Sequence, residues 1–240
     1  MPPTRADGAS LQTYARIAGI LFLISMVAGG FGEFYVPTTL IVSGNATATA
    51  ANIIAHDSFF RMGFAAYLVE GICDIALSLV FYRLLRPVQK DVALLAAFFG
   101  LVSTAVFAAC ELFYFAPSLI LGGADYLKTF SPDQLNTLSL LSLKLYGYGG
   151  MIFLGFYGIA TGIRAYLIYR SGYLPRFLGV IMGLAGLGFV LKNLTVVLAP
   201  AYASDVFILP MMVSGLTMTI WFLVKGVDEK KLDARGMTVG

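Results

Sequence analysis

Seven ionisable side chains stand inside runs of apolar residues: Glu33, Arg61, Glu70, Asp74, Glu111, Lys144 and Lys192. A charge at the centre of a bilayer costs about 2.5–3.5 kcal/mol on insertion scales, so each is a binding-site candidate by position. Glu70 and Asp74 lie one helical turn apart and share a face with Gly63, Tyr67 and Ser78. Two carboxylates that close in a low dielectric do not readily carry charge together, and a proton or a cation between them would relieve the repulsion. Pairing with Lys144 or Lys192 would relieve it too, and would then only set the register of the helices.

Other chemistries find no support. His56 is the single histidine and sits in a loop beside Asp57 and Arg61. It supplies no zinc pairing of the His-Glu-x-x-His kind, so no metal site is expected. Nucleophile elbow, phosphate loop, dinucleotide fingerprint and kinase signature are all missing, so no catalytic residue and no cofactor is expected. Cys73 and Cys110 fall in apolar stretches, where a free thiol behaves as a small hydrophobe.

The elements that must position these charges are membrane spans. Of the 240 residues, 59% are hydrophobic and 12% charged, with mean hydropathy +0.84. A soluble domain is about 25% charged, so that class is excluded. Six stretches reach the roughly 20 apolar residues that a spanning helix needs. They begin near Ile17, Phe60, Val92, Leu135, Phe177 and Val206 and end near Val36, Tyr82, Ala116, Ile163, Leu198 and Val224. Runs of this length are not the short alternating strands of a barrel, so the expected fold is an all-α, six-helix transmembrane bundle. It divides into an amino-terminal segment 1–16, a membrane domain 17–224 and a tail 225–240. The loop after the first span is expected to hold a small surface helix over 46–55. Ser131-Pro132-Asp133 reads as a helix start, and Asn45-Ala46-Thr47 matches a glycosylation acceptor.

Basic residues orient the chain. Arg5 and Arg16 precede the first span; Arg83, Arg86 and Lys90 follow the second; Arg164, Arg170 and Arg176 follow the fourth. Lys225, Lys230, Lys231 and Arg235 occupy the tail. Twelve of the 16 basic residues thus fall on one side, and the opposite loops carry only Lys128. The positive-inside rule then puts both termini in the cytoplasm of a multi-pass cell-membrane protein. These cations suit anionic lipid, and no nucleic-acid partner is expected.

Helical rise gives each charge a depth. From the cytoplasmic edge, Asp74 lies about 12 Å up, Glu70 about 18 Å, Lys192 and Glu33 about 22–24 Å, Glu111 about 26 Å and Lys144 about 28 Å. Arg61 lies near the outer edge. With no charge expected between Asp74 and the cytoplasmic interface, the pattern reads as a charged vestibule open outward above an apolar floor. Gly158-x-x-x-Gly162 and Gly179-x-x-x-Gly183 are small-residue motifs expected to bring helices close.

Several phrases occur together: Ala15-Arg16-Ile17-Ala18-Gly19, Arg86-Pro87-Val88, Ser131-Pro132-Asp133-Gln134-Leu135 and, most specifically, Ser171-Gly172-Tyr173-Leu174-Pro175-Arg176. In these the chain, over about residues 15 to 227, resembles the mainly bacterial membrane family catalogued as domain of unknown function 4386. The resemblance implies a multi-pass membrane protein and brings no activity or site residue. The residues leave three readings. One is binding or transport of a small molecule, ion or proton in the vestibule, and the second is a non-catalytic interaction or stress-related role. The third, a lipid-modifying enzyme, is disfavoured because the acids are scattered over several helices rather than clustered.

Overall fold

The computed structural model describes residues 10–202 and 204–233. The ends of the expected terminal segments, including Arg5 and Arg235, lie outside the described residues. The fold is all-α, and no strand occurs among the described residues. Helix α1 (Leu11–Gly29) runs through a π-helical turn (Gly30–Tyr35) into α2 (Val36–Leu40). The short α3 (Ala46–Ala55) follows, then α4 (Asp57–Leu85), α5 (Lys90–Ile120), α6 (Pro132–Ser171), α7 (Arg176–Leu198), α8 (Leu209–Val224) and α9 (Glu229–Asp233). Six helical segments are long and apolar enough to cross a membrane: Leu11–Leu40, α4, α5, α6, α7 and Val206–Val224. This is a six-helix membrane bundle.

Local chemistry explains the boundaries. α1 starts at Leu11, ahead of its apolar run, because Ser10 Oγ accepts the Thr13 amide at 3.1 Å. Hydropathy marks where a chain can enter lipid, not where its helix begins. Pro37 has no N–H for the preceding turn, and the ladder widens into the π turn just before it. Asn45 Oδ1 accepts the Ala48 amide at 2.9 Å and caps α3, which occupies the expected 46–55. That cap is a structural use for the asparagine of the Asn-Ala-Thr triplet. At α6, Ser131 Oγ accepts the Gln134 amide at 3.3 Å while Gln134 Oε1 accepts the Ser131 amide at 2.8 Å, a reciprocal capping box. α6 has 40 residues and is about 60 Å long, well beyond a hydrocarbon core of roughly 30 Å.

The chain divides into two compact units. Unit 1 holds the chain up to Leu23, Cys73–Ser103 and everything from Leu154 onward; unit 2 holds Ile24–Ile72 and Thr104–Phe153. Unit 1 has a core of aliphatic residues with Phe22, Phe81 and Phe222. Within it, α6 and α7 approach at glycines. A Cβ on Gly158 would lie 2.9 Å from the Gly186 carbonyl oxygen, and one on Gly179 2.8 Å from that of Ala165. At Gly183 the same atom would meet only an ordinary contact at 3.7 Å, so close packing involves part of each glycine motif. Unit 2 has an aromatic core: Phe60, Tyr67, Phe107 and Tyr114, with Phe31, Tyr146 and Phe153 packed against it.

Candidate functional site

Unit 2 gathers tyrosines around a carboxylate. α4 contributes Tyr67, α5 contributes Glu111 and Tyr114 one turn apart, and α6 contributes Tyr146. The three rings meet pairwise edge to face, with centroids 4.8 Å (Tyr67–Tyr114), 5.6 Å (Tyr67–Tyr146) and 5.4 Å (Tyr114–Tyr146) apart. Phe60 stacks on Tyr114 at 4.6 Å, and Phe107 lies 5.8 Å from Tyr67. Glycines make the room. A Cβ on Gly63 would come within 2.5 Å of the Tyr114 hydroxyl, and one on Gly149 would collide with Cys110 Sγ. Gly32 lies against the Gly63 carbonyl, where a Cβ would stand at 3.0 Å.

Glu111 is 3% exposed. Neither of its oxygens has a hydrogen-bond partner among the described residues, and the hydroxyl of Tyr114 shares that condition. The carboxylate is within electrostatic range of all three tyrosines and of Glu33. Glu33 is exposed and belongs to the π turn, a feature frequent at functional sites. A buried carboxylate with no donor bears charge only at a cost of several kcal/mol, so a proton or a cation must accompany it.

The remaining candidates separate. Five of the seven fall in unit 2 and two, Asp74 and Lys192, in unit 1. Glu70 is half-buried with its carboxylate against Gly29, whose Cβ would lie 2.9 Å from both oxygens. Arg61 is a surface residue: its Nε is 2.6 Å from Asp57 Oδ2, the two side chains 49% and 45% exposed, and its guanidinium lies 5.5 Å from the Phe115 ring centre. Lys144 is exposed on the face of α6 that also presents Leu141, Leu145 and Tyr148. Asp74 and Lys192 are buried in unit 1, at 7% and 9% exposure. No group of three or more potential metal ligands occurs among the described residues.

Arg164 departs from its expected place in a cytoplasmic connection. It is 3% exposed, donates from Nη2 to Ser78 Oγ at 3.2 Å, and lies 5.0 Å from the centre of the Phe81 ring. Asp74 is within electrostatic range of it. Gly100 is required beside it, because a Cβ there would come within 2.5 Å of both Nη2 and Ser78 Oγ. The stretch of α4 below Asp74 is therefore not free of charge. The tyrosines of unit 2 also escape the charge-based reading, since a phenol is uncharged at neutral pH. The spacing Glu111-x-x-Tyr114, which puts both on one face of α5, carries the signal.

Comparison with known proteins fixes the family. The family model described as domain of unknown function DUF4386 matches residues 17–226. The chain belongs to this family. It is also similar to an uncharacterized protein of Archaeoglobus fulgidus, 27% identical over 124 residues, which are 51% of this chain and 60% of that relative. The match thus spans less than two thirds of the relative's length. No solved structure matches.

Proposed function

We propose that this DUF4386 protein binds and passes protons through unit 2, with Glu111 as the carrier and Glu33 as the exposed acid that loads it. The observation that carries this reading is Glu111: a carboxylate 3% exposed whose oxygens have no donor among the described residues, within electrostatic range of three tyrosines. A group so placed takes charge only with a companion, and the proton needs no cavity. Tyr67 and Tyr146 are both within electrostatic range of Glu33 and of Glu111, so two hydroxyls share the site with both acids. The protein is oriented with both termini in the cytoplasm, on the distribution of its basic residues.

The test is proton flux in liposomes containing the purified protein and a trapped pH dye. Glu111→Gln keeps the shape and removes the titrating group, so the fold should persist while flux falls at least about a hundredfold, the lower end for loss of a positioned proton-transfer group. Infrared difference spectra across a pH jump should show a carboxyl band that this variant lacks. Unchanged flux together with an unchanged spectrum would overturn the assignment. In a site that merely packs, the same variant should keep or raise the melting temperature and alter nothing else.

A further inference from the structure

The turn Gly172–Pro175, which joins α6 to α7, and the segment Gly226–Lys231, which follows α8, enclose a cavity of about 410 Å³ in unit 1. Trp221, Lys225 and Lys231 line it together with Tyr173, Val227 and Asp228. Its walls are held by hydrogen bonds independent of any ligand. Gln12 Nε2 donates to the Lys225 carbonyl at 3.1 Å, and Gln12 Oε1 accepts the Val227 amide at 2.8 Å. Trp221 Nε1 donates to the Gly226 carbonyl at 2.9 Å, and the Asp228 amide donates to the Tyr173 carbonyl at 3.0 Å. Gly172 and Gly226, two of the four glycines with left-handed φ among the described residues, turn the chain on either side. The cavity is pre-organised.

Its chemistry is specific. Two ammonium groups and one carboxylate leave a net positive charge. Hydrogen bonds from Lys231, first its side chain and then its backbone amide, hold Asp228 below the usual carboxylate range, so this balance persists through neutral pH. Tyr173, Trp221 and Val227 supply an apolar wall, and the cavity lies where α6 and α8 end and α7 begins, the ends that the positive-inside rule sets against anionic lipid. A freely soluble anion has no use for that wall; a phosphate esterified to glycerol does. We propose that this cavity binds the phosphate-bearing headgroup of an anionic phospholipid, with Lys225 and Lys231 on the phosphate and Trp221 along the glycerol.

Trp221 is the one tryptophan of the chain, so its emission reports on the cavity directly. The full-length protein in detergent would be titrated with phosphatidylglycerol, phosphatidylcholine and inorganic phosphate. Phosphatidylglycerol should give a saturable change, with phosphatidylcholine and inorganic phosphate binding far more weakly. K225Q/K231Q should weaken phosphatidylglycerol binding at least about tenfold, given the worth of each cation near an anionic surface. D228N releases Lys231 and should tighten binding, a gain that misfolding cannot imitate. Equal responses to phosphatidylglycerol and phosphatidylcholine, or a double variant that binds as the parent does, would overturn the site. Saturation by inorganic phosphate with nothing added by lipid would overturn the lipid as its occupant.

Discussion

Gly63 and Tyr114 form a lock between α4 and α5. Alanine is the better helix former by about 0.8–1.0 kcal/mol, so a loss of stability in Gly63→Ala must come from crowding of its Cβ, chiefly at 2.5 Å from the Tyr114 hydroxyl and secondarily at 3.2 Å from Val36 Cγ1. We expect Gly63→Ala to destabilise by about 1–3 kcal/mol, the usual range for overpacking, read as a lower melting temperature in detergent. Tyr114→Phe removes a hydroxyl without a hydrogen bond among the described residues and should be neutral or stabilising alone. Combined, the two changes should recover most of the loss. Additive losses would show that the hydroxyl is not what Gly63 accommodates. At this scale the sequence disclosed Glu111, because a carboxylate in an apolar run is conspicuous. It concealed Arg164, because a basic residue near the end of an apolar run looks like an interfacial anchor. Only the length of α6, which continues to Ser171, shows that Arg164 is inside a helix.

Helix existence followed from apolar length, and α3 and the α6 cap followed from short-range chemistry. Helix rotation did not, because which glycine faces a neighbour depends on packing that no local pattern encodes. α6 and α7 show the consequence. A Cβ at Gly186 would stand 2.9 Å from the Gly158 carbonyl oxygen and the Gly162 nitrogen, both backbone atoms that cannot rotate away. At Gly183 it would meet only the Ala165 methyl at 3.7 Å. Gly186→Ala should therefore cost about 1–3 kcal/mol, while Gly183→Ala should be neutral or slightly stabilising. Thermal unfolding of the two variants side by side decides it; equal effects would mean that the helices can part at little cost. The π turn belongs to the same scale. Nothing in residues 30–35 announces it except Pro37 just beyond, which marks a ladder defect without specifying its kind.

For the whole molecule, composition alone separates membrane from water, and the remaining question is which end faces which compartment. The basic residues bear on it through energetics of insertion rather than through contacts, and the orientation they favour is open to test. With Arg164 counted as intramembrane, the bias loses one member and stays heavily one-sided. Arg16 is interfacial in a stricter sense than its sequence position implies: its guanidinium donates to the carbonyls of Phe222 and Leu223, the last turn of α8, where a cation meets the negative helix end. Two exposed positions test the orientation without disturbing any buried group. Thr47 lies in the first turn of α3, and Gln89 lies between α4 and α5. The native Cys73 and Cys110 are buried and should contribute little background. In intact cells, a membrane-impermeant maleimide should label Thr47→Cys and leave Gln89→Cys untouched until the membrane is permeabilised. The opposite pattern would invert the protein and move the Lys225–Lys231 cavity away from the anionic cytoplasmic leaflet. Labelling of both positions in intact cells would break the assignment of an even number of spans between the amino terminus and the α4–α5 connection.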